Sequence, residues 1–398
     1  MNNLINKLHK LISHLKEDGF RSTAVLCLRI FLEKTGIDKL RRRLRAKKHT
    51  KILFYRPSRH AKEIASAAYS PDAPIVSVIL PVHNGHDYLG DTIASLQAQT
   101  MRNAEFIFVD DESSDDSLQI LKEAAERDGR IQVIPQQRSN AGAARNRGLD
   151  TAKGKYVIFL DSDDTFDPNL LTYTVDRAEQ YDAQVVIFNA DILQFPERTR
   201  LEPDWMNQTR VLPRKIFAGR DAADHLFQML NPWTKLYRRE YILHEGFRYQ
   251  SQYSTNDAYF TIMALSCAER IITVPARLVH YHTGRSSNIQ SKKDRAPLDA
   301  YNAFLAARGD LRERGILDTF DRALAIKAAE SMILELNTQK KPESRQTLYN
   351  ALQGGGLTAL GFDAIRQDPD ARRVLGEKLD QCEKILTEDW SVSAWAQA

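Results

Sequence analysis

No run of eighteen uncharged apolar residues occurs anywhere in the 398-residue chain, so no segment suits a helix that crosses a bilayer. The N-terminus also lacks the basic, apolar, small-residue order of a signal peptide. Cysteine is scarce. Cys27, Cys267 and Cys382 are odd in number and far apart, which excludes a disulfide framework and a cysteine-built metal site and suits a reducing, cytoplasmic compartment. Proline, glycine and serine form no tract long enough for a flexible linker, and no internal repeat is present. What the chain does have is core material: 42% hydrophobic residues, with 16 Phe, 14 Tyr and 4 Trp, enough for one large domain with appendages or for two domains.

Charge is unevenly spread. Residues 1–60 hold sixteen Lys and Arg against four Asp and Glu, so with a whole-chain net of +4 the remainder is acidic. Leu4, Leu8, Leu11, Ile12 and Leu15 fall at helical spacing, residues 20–34 read as a second helix, and KLRRRLRAKK at 39–48 is a basic run. This arm suits either an anionic membrane surface or packing on its own domain or on a second copy in a homodimer. Nucleic acid is disfavoured because no aromatic stacking platform accompanies the charge.

From residue 75 short apolar runs alternate with amphipathic stretches. Strands are expected at 75–82, 104–111, 131–136, 154–161, 183–192 and 271–282, and helices at 87–98, 117–127, 140–151, 220–230 and 255–266. Residues 193–215 read as a loop, and residues 297–398 as mainly helical, interrupted at Gly354–Gly356. The pattern predicts an α/β fold with a mostly parallel sheet flanked by helices, covered on both faces, with helical N- and C-terminal extensions. The expected division is 1–70 for the basic arm, 71–292 for the α/β domain and 293–398 for the helical region. In such sheets ligands bind beyond the carboxyl ends of the strands, where the strand order reverses.

IFLDSDD at 158–164 places three carboxylates at one of those ends. Asp161 and Asp163, one residue apart, can turn toward one hard cation that takes oxygen ligands, with Asp164 beside them. Asp-x-Asp alone is a weak signal, since turns and helix caps use the same residues. Massing like charges against an apolar run strengthens it, because a cation or hydrogen-bond donors must then compensate.

PIVSVILPVHNGHDYLGDTIASLQAQT, EFIFVDDESSDDS and NAGAARNRGLDTAKGKYVIFLDSDD, in that order, resemble the nucleotide-binding half of inverting family 2 glycosyltransferases of the GT-A fold, the Rossmann-like group that builds bacterial capsular and lipopolysaccharide chains. The match is close over about 75–170 and looser through NPWTKLYRREY and STNDAYF to about 290. It implies that Pro81, Asn84, Asp110 and Asp111 line the nucleotide pocket. Asn140, Gly142, Arg145 and Asn146 would approach the donor, with Arg145 the partner for phosphate charge or the acidic cluster. Asp163 would hold Mn²⁺ or Mg²⁺, and Asp161 would share the metal or hold the nucleotide sugar. Asp257 would be the general base, with Asn256 standing where the family usually has Glu. Trp233 and Lys235 would face a saccharide or lipid-linked acceptor, while His280, His282 and Arg285 lie where relatives close over the diphosphate. His83 and His86 read as turn residues beside the nucleotide.

The resemblance thus implies a metal-assisted inverting transferase using a nucleotide diphospho-sugar; cysteine usage places it in the cytoplasm, and the basic arm allows a peripheral place at the inner face of the membrane. Two other classes compete. A nucleotidyltransferase would need a glycine-rich basic loop after the first strand, and LPVHNGHDY has one glycine and no Lys or Arg. A scaffold that binds sugar nucleotides or partner subunits without turnover is favoured only by Asn256.

Overall fold

The computed structural model describes residues 57–194, 199–201, 210–213, 226–227, 230–283 and 294–387. The basic arm to residue 56, most of the expected 220–230 helix and Arg285 lie outside the described residues.

Among the described residues ten strands form one sheet in the order β3-β2-β1-β4-β9-β6-β10-β5, with β7 beside β6 and β8 beside β10. The parallel half consists of β1 (Val76–Val82), β2 (Ala104–Asp111), β3 (Ile131–Gln136) and β4 (Tyr156–Phe159). Every residue of β2 is buried, Glu105 included, as the largely apolar run predicts for a strand covered on both faces. The chain steps outward from β1 through β2 to β3, then returns to place β4 on the other side of β1. The strand order therefore reverses between β1 and β4, and the turns after these two strands face the crevice.

The second half mixes directions. The strand β9 (Lys235–Arg238) lies antiparallel between β4 and β6 (Val185–Gln194), and β10 (Arg270–Thr283) is parallel to β6. Short β5 (Thr165–Phe166) pairs with β10. The stretch expected as a loop at 193–215 contains two strands, β7 (Thr199–Leu201) and β8 (Arg210–Pro213), which pair with β6 and β10. Their few residues give too little alternation for the sequence pattern to reveal them.

Helices cover both faces. The first, α1 (Arg59–Ser66), is capped by Ser58, whose hydroxyl accepts from Ala61 N and donates to Asp176 Oδ1 at 2.6 Å. Then come α2 (Leu89–Gln97), α3 (Ser117–Arg127), α4 (Ala141–Thr151) and α5 (Leu170–Tyr181). In α4, a Cβ at Gly148 would lie 2.4 Å from Ile79 Cγ2, so glycine lets this helix press against β1. After α6 (Arg239–His244), the helix α7 (Asn256–Ser266) is buried on nearly all sides.

The C-terminal region begins with α8 (Asp299–Glu313) and the long α9 (Leu317–Thr338). One apolar core runs from Ile79, Phe159 and Phe260 into Phe304, Leu324, Leu336 and Leu360. At Gly354–Gly356 the helix after α9 kinks, with Gly355 at φ 98°, where the sequence showed an interruption.

Candidate active site

A cavity of about 920 Å³ opens at the reversal point. It gathers Pro81 and Asn84 after β1, Asp111 after β2, Asn140 and Arg145 from the start of α4, Asp161 and Asp163 after β4, Trp233 before β9, and Asn256 and Asp257 from α7. Residues dispersed over 177 positions of sequence thus line one volume, as strand-end placement predicts.

The acidic turn is held from two sides. The Thr92 hydroxyl on α2 reaches the carbonyls of Ser162 and Asp164, each at 2.8 Å, and Leu160 N donates to Ile79 O. Asp164 is fully buried, and its Oδ1 accepts from His282 N at 2.9 Å. Carboxylate oxygens of Asp161, Asp163 and Asp164 can all lie within 4.8 Å of one another. That all-oxygen donor set, with two members opening into the cavity, fits a hard divalent cation that shares its coordination with a phosphate-bearing ligand.

Arg145 links this turn to α7. Its Nη2 donates to Asp161 Oδ1 at 2.7 Å and its Nη1 to Asn256 Oδ1 at 3.0 Å, while its guanidinium lies over Tyr249. Burial alone would lower the Arg145 pKa, but Asp161, Tyr249 and Asp257 together carry it above the ordinary value, so it stays charged. Asn256 therefore keeps a hydrogen bond to the arginine while lacking the negative charge of a glutamate at that position.

Asp257 sits in the first turn of α7, where the helix dipole favours a carboxylate. Burial nevertheless pushes its pKa up; Arg145 and Lys235 oppose the shift, and Asp161 adds to it. The residue before the helix, Thr255, has φ 51°. A β-branched residue in that region is strained, and the strain lies immediately beside the candidate base.

The side expected to take the nucleotide is tied together by backbone and side chain alike. Asn84, at φ 53°, accepts through Oδ1 from Ser114 N at 2.8 Å, and its own N–H donates to Ser113 Oγ. Asp111 accepts from Ser139 N, Gln136 Nε2 and Arg138 Nη1. Asp110 is buried behind it, with Oδ2 accepting from Ser113 N, and does not reach the cavity wall. Asn140 caps α4 by accepting from Ala143 N at 2.9 Å.

Gly142 and Asn146 stand behind the wall as well. A Cβ at Gly142 would come 2.3 Å from Gln250 O, so glycine lets α4 approach the 249–256 loop. Asn146 brackets that loop, donating to Tyr249 O and accepting from Tyr249 N, both at 2.9 Å. These two residues position the site without lining it.

The residues expected to face an acceptor divide. Trp233 lines the cavity while only 9% exposed, because Tyr281 stacks on it with ring centroids 5.1 Å apart. Lys235, expected to face the acceptor, is fully buried and lies outside the lining. Its Nζ donates to Asn231 O at 2.6 Å, and burial, opposed by Asp257, brings its pKa down to about 7. The strand turns this side chain inward, where it fixes Asn231, which does line the cavity. His280 and His282 also lie behind the wall. His280 Nδ1 is 3.2 Å from Asp191 Oδ2, and His282 Nε2 is 3.2 Å from Thr165 Oγ1. His83 lines the cavity with Nδ1 3.1 Å from Asp111 O, whereas His86 sits outside near Asp116.

Further lining residues escaped the sequence reading: Arg138, Tyr253, Tyr281, Arg295, Ser331 and Glu335. Arg138 follows β3 directly, so the strand-end rule could have found it. The last three belong to the C-terminal region, where no motif announces a site.

Comparison with known proteins agrees with the geometry. The model of glycosyl transferase family 2 matches residues 77–244. EpsH of Bacillus subtilis, named as a glycosyltransferase, is 30% identical over 302 residues, covering 72% of this chain and 83% of EpsH. ExoO of Rhizobium meliloti, a succinoglycan biosynthesis protein, is 25% identical across 70% of this chain and 81% of its own. Shares of other relatives are smaller, such as 41% of Streptococcus pneumoniae GlyA. In fold, S. aureus TarS 1-349, solved with UDP-GlcNAc, superposes with a TM-score of 0.62 at 20% identity, covering 81% of this chain and 92% of that one. The chain belongs to glycosyl transferase family 2, a GT-A-fold inverting glycosyltransferase that draws on a nucleotide-sugar donor and carries an acidic cluster able to hold a divalent cation.

Proposed function

We propose that the protein transfers a sugar from a nucleoside diphosphate sugar to a hydroxyl of a growing saccharide or lipid-linked saccharide in bacterial envelope or exopolysaccharide synthesis. The observation that carries this reading is the single cavity lined by Asp161, Asp163, Arg145 and Asp257. A uridine nucleotide is the first donor to test, since TarS was solved with UDP-GlcNAc. Pro81, Asn84, Asp111 and Asn140 form the nucleotide side. Asp163 and Asp161 would hold Mn²⁺ or Mg²⁺, which when bound would neutralise charge on the departing diphosphate.

The remaining chemistry belongs to the chain. Arg145 fixes Asp161 and adds positive charge beside the leaving group. Asp257 accepts the proton of the acceptor hydroxyl as its oxygen attacks the anomeric carbon and the bond from that carbon to the diphosphate breaks, inverting the configuration. Trp233 with Tyr281 offers an aromatic wall for a sugar ring. Burial of Asp257 raises its basicity above that of an exposed aspartate, which suits the task.

Among the described residues no helix is long and apolar enough to cross a membrane. The basic excess of residues 1–60 supports a peripheral place at the inner face of the cell membrane. The decisive experiment is a panel of nucleotide sugars with Mn²⁺, followed by nucleoside diphosphate release with and without saccharide acceptors. Acceptor-stimulated release with at least one donor is expected, and a panel giving none, beside an active relative as control, refutes the reading.

A further inference from the structure

The cavity has a second wall that the donor reading leaves unused. Tyr253, Arg295, Ser331, Leu334 and Glu335 line it, and all but Tyr253 come from the C-terminal region. Ser331, Leu334 and Glu335 stand at i, i+3 and i+4 on α9, so they share one helix face. Leu334 is 53% exposed, so this face presents an apolar side chain at the cavity rim.

This wall is hydrogen-bonded to the loop that leads into the candidate base. Asp299, the first residue of α8, accepts through Oδ2 from Ser254 N at 2.8 Å, and its carbonyl accepts from Gln252 Nε2 at 3.2 Å. Gln252 also donates to Thr255 O. Arg295, four residues before this clamp, lies over the Tyr253 ring at 5.5 Å, and Tyr253 is four residues before Asp257. The C-terminal region thereby sets a cation beside the acceptor end of the cavity.

Among the described residues the other two lining arginines are occupied. Arg145 pairs with Asp161 and Arg138 with Asp111. Among the described residues Arg295 has no carboxylate partner, and its face is held by tyrosine while its N–H edge stays available. A guanidinium held in this way suits bidentate recognition of a planar or tetrahedral anion.

We infer that Arg295, held on the Tyr253 ring, is the anion-binding element of an acceptor subsite that selects a saccharide bearing an anionic group, a carboxylate or a phosphate, near the hydroxyl to be glycosylated, with the α9 face as its neighbouring wall. The inference rests on the transferase reading and deepens it. A cavity of about 920 Å³ lies near the upper end of the range for small-ligand sites, room enough for donor and acceptor together.

The test runs in two stages on the full chain. Calorimetry first measures UDP with Mn²⁺ for wild type, Arg295→Ala and Arg295→Lys. Saturation-transfer NMR on the same complexes then compares methyl glucoside, methyl glucuronide and methyl glucoside 6-phosphate. Wild type should favour a charged probe over the neutral one by about 10-fold, the lower end for a charge-assisted hydrogen bond. Arg295→Ala should erase that preference with UDP affinity unchanged, and Arg295→Lys should keep part of it. The better charged probe tells carboxylate from phosphate. Equal binding of all three probes, binding of none, or a preference surviving in Arg295→Ala overturns the inference. A loss of UDP affinity in that variant moves Arg295 to the donor side and also overturns it. Where UDP does not bind, the nucleoside diphosphate identified by the donor panel replaces it; wild type that binds none of them with Mn²⁺ points instead to failure of the transferase reading, and the subsite falls with it.

Discussion

Asp257→Asn is the most instructive single change, because it separates chemistry from binding. The amide has the shape of the carboxylate, so the N-terminus of α7 and the Arg145 bridge to Asn256 should persist. Loss of a positioned general base costs about 10²- to 10⁴-fold in rate. Transfer measured by nucleoside diphosphate release should therefore fall by that factor, with UDP and Mn²⁺ binding nearly unchanged by calorimetry. Stability should move the other way. The folded-state pKa of Asp257 is raised, so wild type loses stability as pH climbs through that pKa and the buried carboxyl must ionise. The asparagine variant escapes this loss and should be at least as stable near pH 7, despite giving up roughly 0.3–1 kcal/mol of helix-dipole interaction. A variant that keeps its full rate places the base elsewhere, and one that loses donor affinity in parallel shows Asp257 to be a binding residue.

Three further changes probe the supports. Lys235→Met removes an amine whose pKa is depressed to about 7. From pH 7 to about 10 the unfolded wild type still holds a proton that the folded chain has shed, so wild-type stability should rise over that window, by up to a few kcal/mol, and the variant's should not; urea midpoints at pH 7 and pH 9.5 decide it. Gly142→Ala forces a Cβ against Gln250 O and should cost about 1–3 kcal/mol in thermal or urea unfolding, with transfer reduced through displacement of the 249–256 loop. Deleting residues 1–56 should abolish salt-sensitive binding to anionic liposomes, and retention of that binding by the shortened chain removes the membrane role from the arm.

The elements legible in the sequence were those whose burial is simple. The strand β2 runs over the residues expected for it because the apolar run Phe106–Val109 ends in acids, and Asp110 and Asp111 mark its end. The helix α4 falls within the stretch expected at 140–151, and Asn140 caps it. By contrast α5 was not foreseen, since Leu170 to Asp176 are all buried and leave no polar face to reveal its period. The four residues of β9 are too few to show alternation, and so the inward turn of Lys235 could not be read.

The site was legible in the same measure. Asp161, Asp163, Arg145 and Asp257 were named from motifs and do meet in one cavity. Gly142 and Asn146 belong to the same motif but act one layer back, through close approach and backbone hydrogen bonds. Arg295 and the α9 face come to the cavity only by tertiary packing, and local sequence carries no mark of that.

The most direct test of the central claim is calorimetric titration of UDP into wild type and Asp163→Ala, each with Mn²⁺ and with chelator. Wild type should bind at least about 10-fold more tightly with the metal, equivalent to about 1.4 kcal/mol, and Asp163→Ala should bind weakly and alike in both conditions. Metal-independent binding by wild type, or an undiminished metal effect in Asp163→Ala, contradicts the assignment of the Asp161 to Asp164 turn as the metal site.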